Sequence, residues 1–122
     1  MPVQPPSAPE ALKEQTLTQL IEIRETLLSQ DWQEKIDKMP PDKRHEVILL
    51  VSQSQINYLK LQRTELETIT KGLAQQEKEL IKAMKQLQDS MDNVSKLDAF
   101  VNGATGFIKL VQNILKALSP LI

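Results

Sequence analysis

The chain has 122 residues, a formal net charge of −1 and no cysteine. Near-neutral charge gives no global field to draw in nucleic acid or a strongly anionic surface, and the lack of cysteine removes disulfide frameworks, thiolate metal sites and cysteine nucleophiles together. Aromatic residues make up only 3% and glycine appears three times, a balance that fits long helices burying stripes rather than a compact enzyme core or a sheet with tight turns.

The opening stretch MPVQPPSAP carries four prolines and no charge, so residues 1–7 are expected as an extended arm. Pro2 to Pro5 and Pro6 to Pro9 each form a PxxP, a spacing common by chance in such arms and read as linker. The first thirty residues hold no basic stretch followed by an apolar run, so no secretory signal peptide is expected and the cytoplasm is the default compartment. Ser7 and Glu10 have capping-box spacing and start a helix expected over 8–39. Leu17, Leu20, Ile21, Leu27, Leu28, Trp32, Ile36 and Met39 recur along it at three- and four-residue steps, with Ile23 off the stripe. Pro40 and Pro41 remove successive backbone donors and end it.

A long second helix is expected over 40–98, with room for a bend near 72 or 92; Gly72 costs about 1 kcal/mol, too little to break so long a run. At 1.5 Å per residue a fifty-residue helix spans roughly 75 Å and the first roughly 45 Å. The distal half of the second must therefore be covered by the C-terminal segment, another copy or a different protein. Leu59, Leu66, Leu73, Leu80, Leu87 and Val94 keep a spacing of seven that continues through Val101, Ile108 and Leu115, which reads as an assembly seam. The companion positions include Gln62, Gln76 and Ser90, so the seam fits a three- or four-helix bundle better than a two-stranded zipper.

Residues 99–122 contain no acid and only Lys109 and Lys116 as charges. On a helical wheel Phe100, Val101, Phe107, Ile108, Val111, Ile114, Leu115 and Leu118 share one broad arc, with the two lysines opposite. Asn102, Gly103 and Gly106 mark the expected place for a bend. Burying the large apolar side chains of this arc is worth roughly 13 to 27 kcal/mol gross, so they require a sink. Protein is one, as the third helix of a bundle. Lipid is the other, as an amphipathic helix in a membrane interface.

Little here suggests catalysis. His45, the sole histidine, stands among Lys43, Arg44 and Glu46 and reads as solvated. The pairs Glu22 with Glu25 and Asp89 with Asp92 lack an accompanying Glu-x-x-His, and no phosphate loop or nucleophile elbow is present. Lysines 71, 78, 82 and 85 are interleaved with acids and lack aromatic neighbours, so nucleic-acid binding is not supported. The expectation is therefore an all-α, single-domain protein, an elongated helical hairpin or coiled-coil-like bundle with a C-terminal apolar amphipathic helix. No catalytic, metal or cofactor site is expected. The leading functional expectation is self-assembly as a homo-oligomer, extending to membrane association or permeabilisation. The alternative is an adaptor or chaperone-like bundle that receives a partner helix.

Overall fold

A computed structural model describes residues 8–117, which form a helical bundle. The elements are α1 (Ala8–Leu28), α2 (Gln30–Ile36), α3 (Pro41–Arg63), α4 (Leu66–Gln75), α5 (Glu77–Ser90), a single 3₁₀ turn (Val94–Lys96) and α6 (Leu97–Ala117). The proline arm, the Ser7 cap and Leu118 lie outside the described residues.

The helix expected over 8–39 is divided at Ser29, where ψ swings to 152°. The Ser29 hydroxyl donates to the Thr26 carbonyl at 2.7 Å and the Gln33 amide donates to the Leu27 carbonyl at 2.6 Å. Side chains thereby take over carbonyls that a continuing helix would have used. The break also changes the register. Leu12, Thr16, Leu20, Ile23 and Leu27 form the buried face of α1, whereas Leu28 is exposed. A stripe drawn straight through to Trp32 and Ile36 had placed Ile23 off the face. After α2, Pro40 stands at the N-cap of α3 and Pro41 opens it, where the missing N–H costs nothing.

The single helix expected over 40–98 is three helices and a 3₁₀ turn. Thr64 leaves helical geometry at ψ 128° while its hydroxyl donates back to Lys60 O at 2.7 Å. Lys13 of α1 donates to the Thr64 carbonyl at 2.6 Å, pinning this corner. Gln76 separates α4 from α5, and Asn93 caps the 3₁₀ turn by accepting from Ser95 N at 2.9 Å. The physical reason is coverage. A straight helix would have carried half its apolar stripe away from any partner, whereas the corner at 64–65 lays Ile69 and Leu73 back into the common core with Leu80 and Leu87. α1 then packs against α2, α3, α4 and α5, and α6 packs against α3, α4 and α5.

Those two helices hold the middle of the bundle. Phe100 and Phe107 are fully buried, and Phe100 meets Trp32 edge-on with ring centroids 5.0 Å apart, a favoured aromatic geometry. α6 runs without a break through Asn102, Gly103 and Gly106, where a bend was expected. At Gly72 of α4 an added Cβ would lie 3.0 Å from Ile114 Cγ2, so glycine there permits close approach to α6. Across α1 and α5 the Gln88 amide donates to Gln19 Oε1 at 3.1 Å and to Glu22 Oε2 at 2.8 Å.

The membrane expectation is corrected at this level. Phe100, Val101, Phe107, Ile108, Val111 and Ile114 are all buried in the intramolecular core, so the face that could have entered lipid is occupied by protein. No helix among the described residues is long and apolar enough to cross a membrane. Membrane association and permeabilisation therefore lose the feature that motivated them, and with them goes the self-assembly built on a free C-terminal face.

Candidate functional site

The heptad residues divide in the fold. Leu73, Leu80 and Leu87 are fully buried inside the chain's own core, Leu66 and Val94 are half-buried, and Leu59 is exposed. Of the C-terminal positions, Leu115 is half-buried at the edge of a groove, while Lys109 and Lys116 are exposed. The structure thus brings most of both sets together in one core and separates Leu59 from the rest.

Leu59 belongs to a different surface. On α3 the core-facing positions are Val47, Leu50, Ser54, Asn57 and Leu61, all buried, at the three- and four-residue steps of one helix face. The two polar members are satisfied within the helix, Ser54 donating to Val51 O at 2.8 Å and Asn57 to Gln53 O at 2.7 Å. The opposite face is largely apolar, with the exposed Ser52 between its two pairs of apolar residues. Ile48, Leu49, Ile56 and Leu59 are 62%, 45%, 50% and 38% exposed. At 100° per residue they share an arc of about 100°, running some 16 Å along the helix. Leu28, 49% exposed, lines one groove together with Ile48. Only Ile81, on α5, lies elsewhere among the large apolar side chains found exposed in the described residues. Scattered exposed leucines are ordinary, whereas four large apolar side chains exposed along one arc of one helix are not.

Two grooves flank this strip. One, of about 550 Å³, lies beside the N-terminal half of α3 and is lined by Leu28, Ile36, Arg44, His45 and Ile48, among others. The other, of about 890 Å³, lies beside the C-terminal half on the opposite side and includes Ile56, Lys60, Arg63, Leu115 and Lys116. Both are open troughs, and the exposed ridge of α3 passes between them. A rod crossing α3 obliquely would reach both, which is how one helix seats its ridges on another.

The electrostatics of the strip lean positive toward its C-terminal end. No acidic residue occurs between Glu46 and Glu65. Arg44 with Asp37 lines the smaller groove, Lys60, Arg63 and Lys116 with Glu65 line the larger, and Asp42 stands at the margin of the strip. Lys43 is engaged with Glu46 at 3.8 Å, a solvent-exposed pair of small energetic consequence. His45 is exposed on the groove rim. No group of three or more His, Asp or Glu side chains that could hold a metal ion occurs among the described residues.

The heptad reading took Leu59 as seam and missed the strip itself. One signal was present: Val47 to Val51 is five consecutive apolar residues. Such a run points in every direction around a helix, so one core cannot bury all of it. No protein-family model matches the chain, and no match is found among curated proteins or solved structures. The functional reading rests on this surface alone.

Proposed function

We propose that the chain is a non-enzymatic helical-bundle module that receives an amphipathic helix of a partner protein across the outward face of α3. The observation that carries the reading is the strip Ile48, Leu49, Ile56 and Leu59, interrupted only by Ser52 and continued by Leu28, on a helix whose other face already fills the core. The exposed fractions of these five residues amount to between two and three whole side chains, worth roughly 4 to 7 kcal/mol of gross apolar burial. That corresponds to dissociation constants from about millimolar to about ten micromolar before costs. A helix lying in a groove is the partner geometry that such a ridge and its flanking troughs suit.

A second copy of the chain fits the same face less well. It would bring Arg44, Lys60, Arg63 and Lys116 of two molecules into one interface against Asp37, Asp42 and Glu65, and the excess of like charge raises its cost. The test uses fluorescence anisotropy with a labelled 18-residue peptide carrying leucines at i, i+4, i+7 and i+11. Binding weaker than about ten micromolar is expected, with loss in the Ile48→Glu/Ile56→Glu double variant, which circular dichroism should show folded and whose urea midpoint should fall by no more than about 1 M. Binding that survives the double variant overturns the reading. So does sedimentation velocity showing a dimer that the same two substitutions dissolve.

A further inference from the structure

We infer that the helix received on α3 is acidic beside its apolar stripe, with its carboxylates over the cluster formed by Lys60, Arg63 and Lys116. The inference rests on the helix-docking reading above and names the chemistry of the partner. Three cations line the larger groove against a single acid, Glu65, and the apolar side chains Ile56 and Leu115 lie among them. That combination suits a helix bearing both apolar and acidic residues.

The plainer account of these cations is that they offset the negative C-terminal ends of α3 and α6. It falls short on magnitude. Each helix end is equivalent to about half an elementary charge, and the α3 terminus already has a dedicated partner, since Lys13 donates to Thr64 O at 2.6 Å. Lys60, Arg63 and Lys116 therefore exceed what Glu65 and the two helix ends can balance, with Lys13 adding to the excess. Lys60, Arg63 and Lys116 are exposed, so their charge is available to an incoming group. At the smaller groove Arg44 is matched by Asp37, so the excess of positive charge lies at the larger groove. A partner with basic flanks would meet like charge at the larger groove, whereas one with acidic flanks finds complements there.

Two peptides with the same leucine stripe, one flanked by glutamates and one by lysines, distinguish the possibilities. The glutamate peptide is expected to bind at least tenfold more tightly in 50 mM salt, and to lose several-fold in affinity on raising salt to about 300 mM as the Debye length shrinks. The Lys60→Glu/Arg63→Glu variant should reverse the preference. Its circular dichroism and urea midpoint should match the parent, because both side chains are exposed. Equal affinity of the two peptides, abolished by Ile48→Glu/Ile56→Glu, leaves helix docking standing and overturns the acidic partner. Failure of both peptides to bind overturns helix docking and the acidic partner together. A glutamate preference untouched by the charge reversal places the carboxylates elsewhere and also overturns the inference.

Discussion

Leu50 and Ile48 are two positions apart on α3 and nearly equal in size, yet one is 4% and the other 62% exposed. Truncating each to alanine therefore gives a direct test of which way the helix faces. Leu50→Ala removes core volume, and such changes cost about 2 to 5 kcal/mol. Ile48 has less than half of its side chain buried, so only roughly 0.6 to 1.1 kcal/mol of burial is at risk. Alanine's better helix propensity returns a few tenths of a kcal/mol, leaving a net loss of about 0.5 kcal/mol. Urea unfolding followed through Trp32, which is buried against Phe100, converts this into midpoints. With a slope of about 1.5 kcal/mol/M, Leu50→Ala should lower the midpoint by more than about 1 M and Ile48→Ala by about 0.3 M. Equal shifts, or a larger one for Ile48→Ala, would refute the orientation of α3 and with it the location of the site.

Two further expectations concern the core. Gly106→Ala places a Cβ where no atom lies within 4 Å, so the helix should gain about 0.5 to 1 kcal/mol. Gly72→Ala gains the same propensity but presses on Ile114 at 3.0 Å, and overpacking of about 1 to 3 kcal/mol should make it net destabilising. Thermal melts of the two variants should move in opposite directions; a gain at Gly72 would show that α4 and α6 are looser than described. Gln19 is 3% exposed and its Nε2 has no hydrogen-bond partner in the protein, while its Oε1 accepts from Gln88. Gln19→Leu gives up one neutral hydrogen bond of about 1 kcal/mol and removes an unmet donor worth about 1 to 3 kcal/mol. The urea midpoint should hold or rise, and a fall equivalent to more than about 1 kcal/mol would contradict that account.

Much of the architecture was legible in the chain. Scarcity of glycine and aromatic residues indicated helices, and Pro40 with Pro41 marked a corner that the fold keeps. The breaks at Ser29 and Thr64 were not legible, because neither is made by proline or glycine. At Ser29 and Thr64 side-chain hydroxyls take backbone carbonyls, and Lys13 from α1 secures the second corner. Such corners depend on where other helices lie, which a single segment does not encode. The wheel of the last segment grouped Phe100, Phe107 and Val111 on one arc. It could not distinguish a protein sink from a lipid one, since both remove apolar surface from water. For the candidate site the difficulty was the reverse. A heptad register absorbed Leu59 and obscured the excess of apolar residues at Val47 to Val51, which marks a helix with two faces to cover.

The central place of α6 also bears on how the chain is made. α1, α3, α4 and α5 all precede the helix that carries Phe100 and Phe107 into the core. At about 5 to 20 residues per second, roughly 5 to 20 s separate the synthesis of α1 from that of the end of α6. Until α6 is made, Leu73, Leu80 and Leu87 lack their final neighbours. The bundle can therefore close only once α6 has been made.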